Sequence, residues 1–221
     1  MHYKEYEDVI PLEIRKEILN FFYNNQDLVV NSNYMEKINN PWKLEVVQQL
    51  ESILTQFNID TSHNLGDNIY KHSYAYFPHT DTDIDHDTIQ VLIPLFVEGD
   101  NYQPFVVFDQ WCSDKHARTW MINDDTDTKF HKNKTIKTSI NNDSTVHNCT
   151  NEEIDDNFYH TYLENNFRPK ELFFGLTGVA LNYKPGNLII FNSKYIHATG
   201  KMLAKYKIGL SLKFAGKINE L

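Results

Sequence analysis

Residues Tyr70–Leu95 read YKHSYAYFPHTDTDIDHDTIQVLIPL. Tyrosine- and isoleucine-rich alternation predicts one strand from Ile69 to Phe77, and the apolar run Ile89 to Leu95 predicts a second. Between the two strands stand His79, Thr80 and Asp81. Side chains two positions apart at the end of an extended segment leave on the same side. An imidazole and a carboxylate placed there can turn onto one metal ion while Thr80 points elsewhere.

Two donors do not complete a site, so a third is sought downstream, in the segment YKPGNLIIFNSKYIHATG at residues 183–200. Pro185 and Gly186 mark a turn, Leu188 to Phe191 an apolar strand, and Tyr195 to Thr199 a further strand that carries His197. Two histidines and one carboxylate form the facial triad, which leaves positions on iron(II) open for oxygen and a chelating co-substrate. A His-x-Asp triplet alone is a weak signal in a chain with 10 His and 30 acidic residues. Its position between two strands, with His197 behind a turn and an apolar strand, strengthens it.

The last predicted strand, Lys205 to Phe214, alternates cleanly. Tyr206, Ile208, Leu210, Leu212 and Phe214 share one face, and Lys205, Lys207, Gly209, Ser211 and Lys213 share the other. Glycine is costly inside a strand and marks close approach of a ligand or another backbone. Lys207 and Ser211 flanking a gap at Gly209 suit a bound dicarboxylate, with the ammonium supplying a charge-assisted bond. The competing reading makes these lysines guards of an exposed edge strand. It weighs as heavily for Lys205 and Lys213, and less for Lys207.

Upstream, two amphipathic helices are expected, from Pro11 to Asn25 and from Pro41 to Phe57, the second burying Leu44, Val47, Leu50, Ile53 and Leu54. After Asp67 short strand-like segments follow, including Phe105 to Phe108, Leu172 to Thr177 and Val179 to Tyr183. Helices followed by short strands predict a mainly β fold, an antiparallel jelly roll with N-terminal helices packed on one outer face. One domain is expected over 1–221, with 1–66 as helical scaffold and 67–109 with 170–216 as core. Residues 110–166 are polar and long enough to be an insertion or lid. In it Thr150 and Glu153 fit a capping box, with Ile154, Phe158 and Tyr162 on one helical face. Trp111 and Trp120 there can anchor the insertion or stack on a ligand.

A net charge of −9 disfavours a polyanion such as nucleic acid, or an anionic membrane, as the main partner. Two cysteines, and no leader-like or bilayer-length apolar run, point to a soluble protein of the reducing cytoplasm.

With His79-Thr80-Asp81, the strand Ile89 to Leu95, the PGNLIIF segment, His197, and a lysine ten positions beyond it in KIGLSLKF, the chain resembles the 2-oxoglutarate- and iron(II)-dependent dioxygenases. The resemblance covers Tyr70 to Phe108 and Leu172 to Phe214. It implies a double-stranded β-helix core, with His79, Asp81 and His197 on iron(II) and Lys207 on the distal carboxylate of 2-oxoglutarate. Tyr70 becomes a further co-substrate contact. The family more often has Arg at the Lys207 position, and Lys exchanges a bidentate fork for a point charge. The implied activity consumes molecular oxygen and 2-oxoglutarate, releases succinate and CO₂, and hydroxylates a C–H bond of a small molecule or protein side chain. Two rivals are a nucleic-acid dealkylating oxygenase of the same superfamily and a non-catalytic metal-binding jelly roll.

Overall fold

The computed structural model describes residues 2–31, 35–76, 78–81, 88–99, 102–112, 146–164 and 170–216. In chain order the elements are β1 (Tyr3–Tyr6), α1 (Leu12–Asn24), β2 (Val30–Asn31), β3 (Met35–Asn39), α2 (Glu45–Gln48) and α3 (Glu51–Gln56). Then come β4 (Asn64–His72), β5 (Thr88–Val97), β6 (Pro104–Cys112), β7 (Val146–His147) and α4 (Asp156–Phe158). The chain closes with β8 (Gly178–Asn182), β9 (Leu188–Asn192), β10 (Tyr195–Thr199) and β11 (Lys207–Ala215). Among the described residues the larger sheet has the order β1-β9-β5-β11-β4-β3-β2, and the smaller has β10-β6-β7 with β8 also on β6. From β8 onward the chain alternates between the sheets. The result is a double-stranded β-helix, a jelly roll with N-terminal helices on one face.

The pattern of β11 explains the layering. Ile208, Leu210, Leu212 and Phe214 are fully buried in one core with Ile18 and Phe22 of α1, Val47 of α2 and Leu54 of α3. Each such side chain contributes about 1.5–3 kcal/mol by leaving water. The opposite face of β11 turns Lys207, Ser211 and Lys213 into the space between the sheets. β5 is buried along nearly its whole length, because it pairs on both edges, with β9 and β11. Pro94 is tolerated in this central strand because the register with β11 shifts there, between Ile208 and Gly209.

Several elements differ from the sequence reading. The strand expected over Ile69–Phe77 spans Asn64–His72 instead, ending where His72 meets Met35 and Lys207, the first residues of β3 and β11. The helix expected over Pro41–Phe57 is broken: Pro41–Lys43 form a 3₁₀ turn, Leu44 is extended, and α2 and α3 follow. Asp67 is the cause, since its carboxylate accepts the Trp42 N–H and its carbonyl accepts that of Asn40, tying the turn to β4. No strand forms at Leu172–Thr177. Lys170–Phe173 is a 3₁₀ turn, and Gly175 at φ +79° turns the chain against the Thr150 carbonyl, leaving Phe173 and Leu176 buried. Strands β1, β2 and β3, none of them expected from the sequence, extend both ends of the larger sheet.

Within 110–166, Trp111 lies on β6 and stacks on His147 of β7, with ring centroids 4.1 Å apart. The helical cap is Asp155, which accepts the Phe158 N–H at 2.8 Å, rather than the Thr150–Glu153 box. Ile154, Tyr159 and Leu163 pack on Val106 and Phe108, the outer face of the smaller sheet. A π-helical turn at Tyr159–Leu163 leaves Phe158 and Tyr162 only partly buried. The remainder of the expected lid, including His116, Arg118 and Trp120, lies outside the described residues.

Candidate metal and co-substrate site

After β4 the chain crosses from the larger sheet to the smaller one, and this crossing brings the first donor to the last. His79 and His197 form an isolated antiparallel bridge, each N–H donating to the other's carbonyl at 2.9 Å. The Asp81 N–H donates to the Ser193 carbonyl at 3.1 Å, so the short stretch is pinned by its main chain at both ends. A register shift in β10 between Tyr195 and His197 re-aims the second imidazole. Among the described residues, His79, Asp81 and His197 alone form a group of three donors suited to a metal, and their donor atoms lie within 4.8 Å of one another.

The donor chemistry fits such an ion. His197 Nδ1 lies 3.0 Å from the Tyr195 carbonyl, the contact that fixes the tautomer and leaves Nε2 as the free donor. That Nε2 is 3.6 Å from Asp81 Oδ2, and His79 Nε2 is 3.6 Å from Asp81 Oδ1. Burial works to raise the Asp81 pKa, but Lys213, a hydrogen bond with His197 and both imidazoles hold it well below the usual carboxylate range. Phe191 and Phe105 pack on the His197 ring at 4.6 and 5.8 Å and dry this side of the site.

The triad opens into a cavity of about 220 Å³ between the sheets, lined also by Tyr70, His72, Gln90, Lys207 and Ser211. Lys207 is 1% exposed, and no described carboxylate lies within ion-pair distance of it. Its Nζ sits 4.0 Å from the centre of the Tyr183 ring and 3.5 Å from Thr199 Oγ1, two residues beyond His197. Burial alone pulls its pKa down to about 7. Tyr70 and Tyr183 share a hydroxyl–hydroxyl hydrogen bond of 2.9 Å. Burial raises the pKa of both phenols, so both stay neutral. The gap at Gly209 belongs to these tyrosines and not to a ligand: a Cβ there would stand 1.9 Å from the Tyr183 hydroxyl and 2.7 Å from that of Tyr70.

Ser211 lies four residues along β11 from Lys207, and its hydroxyl accepts from Gln90 Nε2 at 2.9 Å. The Gln90 Oε1 is buried without a hydrogen-bond partner among the described residues. Two residues escaped the sequence reading. Tyr183 reads in the sequence only as the end of a strand, and nothing local links it to Lys207. Lys213 pairs with Asp81 across 3.6 Å instead of guarding a sheet edge, since β11 is an inner strand. Its place on the Lys207 face was the available signal.

No family model matches the sequence, and no curated protein matches it significantly. Solved structures do match. The epimerase SnoN from nogalamycin biosynthesis, in complex with Fe3+, alpha ketoglutarate and nogalamycin RO, superposes with a TM-score of 0.55 at 8% identity, over 97% of this chain and 78% of that one. A Pseudomonas putida prolyl-4-hydroxylase gives 0.53 at 8% identity, over 98% and 94% of the two chains. The viral collagen prolyl hydroxylase of Paramecium Bursaria Chlorella virus-1, in its 2OG complex, gives 0.53 at 11%, over 98% and 97%. At these identities the likeness is one of fold. The shared fold is the double-stranded β-helix, and in this chain it brings His79, Asp81 and His197 together as a group that could hold a metal ion. No described helix is long and apolar enough to cross a membrane.

Proposed function

We propose that the protein is a 2-oxoglutarate- and iron(II)-dependent oxygenase that hydroxylates a C–H bond of a small molecule or a protein side chain. The observation that carries this reading is Lys207, a buried ammonium with no carboxylate partner among the described residues, facing the same cavity as the triad. A buried charge needs a counter-charge, and the distal carboxylate of 2-oxoglutarate supplies one. His79, Asp81 and His197 would hold the iron. When bound, iron(II) with 2-oxoglutarate supplies the oxidising chemistry, dividing O₂ between succinate and the oxidised substrate with loss of CO₂.

The protein's own part is positional. The Tyr195 carbonyl holds the His197 ring with Nε2 turned toward Asp81, as a metal ligand would need, and Lys207 with Tyr70 would orient the co-substrate. Leu92, Phe105 and Phe191 line or back the space with apolar surface, which keeps water from competing. A net charge of −9 favours a small molecule or protein side chain over nucleic acid. The likeness to two prolyl hydroxylases and to an epimerase from nogalamycin biosynthesis supports the same substrate range.

The test is succinate and CO₂ release from 2-oxoglutarate with iron(II) and O₂, followed as uncoupled turnover without substrate. Turnover by wild type, lost in H79A together with metal binding, is the expected outcome. Metal binding by wild type with no succinate formed would leave a non-catalytic metal-binding jelly roll.

A further inference from the structure

We infer that Lys213 is a positioning residue for the metal: it holds the Asp81 carboxylate as a one-oxygen donor. The inference rests on the triad being a metal site. Lys213 Nζ is 3.4 Å from the Asp81 main-chain carbonyl and 3.6 Å from Oδ2 of the same residue. An ammonium bridging a residue's backbone oxygen and its side-chain oxygen restrains both side-chain torsions between them. The backbone of Asp81 is itself fixed by its bond to Ser193. The Lys213 and Asp81 side chains are 22% and 23% exposed, so solvent screens the pair only in part.

The contact to the main-chain carbonyl puts the ammonium on the backbone side of Asp81, as a support for the ligand and not as a cation standing in for the metal. Each Asp81 oxygen faces an imidazole, Oδ1 that of His79 and Oδ2 that of His197, but Oδ2 is also held by Lys213, so Oδ1 is the oxygen left for the ion. A carboxylate free to chelate through both oxygens would take a position that the facial triad leaves open for co-substrate or oxygen. Strand β11 thereby presents two cations of different purpose on one face. Lys207, opposite Val97, serves the co-substrate, and Lys213, opposite Gln90, serves the ligand.

The experiment titrates the metal-free protein with Co(II), reading affinity by calorimetry and coordination by the visible ligand-field bands. For K213M the Co(II) affinity falls about 10–100-fold, the usual effect of removing a partner of a metal ligand, and the bands change as Asp81 rebinds through both oxygens. K213A is run beside it so that one folding defect cannot decide the outcome, and K213R, which keeps a charged donor, recovers most of the affinity. K207M serves as the control for cavity charge and leaves the bands unchanged. Unchanged or tighter Co(II) binding by K213M and K213A, or an equal effect in K207M, overturns the inference while leaving the triad intact. A wild type that binds no Co(II) overturns both.

Discussion

Replacing Lys207 by methionine separates stability from function, with opposite signs. A lysine whose pKa falls from 10.5 to about 7 on burial carries a cost, when charged in the folded state, of roughly 4–5 kcal/mol at 1.36 kcal/mol per pH unit. The sign follows from proton counting. Between pH 7 and 10.5 the unfolded chain binds the proton that the folded chain lacks, so stability rises with pH through that window and the full penalty applies below it. At pH 6 the penalty is roughly 4–5 kcal/mol, and at pH 9 about 2 kcal/mol remains. Methionine fills a similar volume without charge but forfeits the cation–π contact with Tyr183, worth about 1–2 kcal/mol. Metal-free K207M is therefore more stable than wild type by about 3 kcal/mol at pH 6 and by about 2 kcal/mol at pH 9, where the folded lysine is neutral and has no cation–π contact to lose. The same variant loses 2-oxoglutarate affinity by about 30-fold or more, since removing one partner of a buried charge pair costs at least about 2 kcal/mol. Urea unfolding at the two pH values and calorimetric titration of 2-oxoglutarate measure both effects. A K207M protein less stable than wild type at pH 6, or a difference independent of pH, would refute the unpaired-ammonium argument.

Two further variants probe the same cavity. G209A drives a methyl into the Tyr70–Tyr183 hydroxyl pair, costing about 1–3 kcal/mol by overpacking and pushing the phenols toward Lys207. Urea unfolding equal to wild type would show that the pair is not fixed. His72 is held neutral to about pH 3, by burial first and then by the charges of Lys207 and His79. As pH falls from about 6.5 toward 3, the unfolded chain takes up the proton first, so wild type loses up to roughly 4–5 kcal/mol through this group. H72Q flattens that acid limb between pH 7 and pH 4, and an unaltered slope would show that the imidazole is solvated.

Local pattern carried much of this protein. Alternation along Lys205–Phe214 follows from the two-residue period of an extended chain, so it sorted Ile208, Leu210, Leu212 and Phe214 from Lys207, Ser211 and Lys213 with no knowledge of their neighbours. The donor types at His79, Asp81 and His197 were legible for the same reason, because donor chemistry and spacing are properties of the chain itself. What surrounds those residues was decided by the tertiary fold. The chain leaves the larger sheet at His72, five residues sooner than its composition indicates, where it pairs with Met35 at the start of β3 and Lys207 at the start of β11. That departure is what lets His79 bridge His197. Gly209 read as room for a ligand, yet the room is taken by hydroxyls from residues 70 and 183 that no local period connects. Lys213 was indistinguishable from an edge guard until the sheet order put β11 between β5 and β4 and the crossing chain laid Asp81 against it. A strand's period is set by covalent geometry within a few residues, whereas its partners are set by which distant surfaces bury together, and that information lies in the packed molecule.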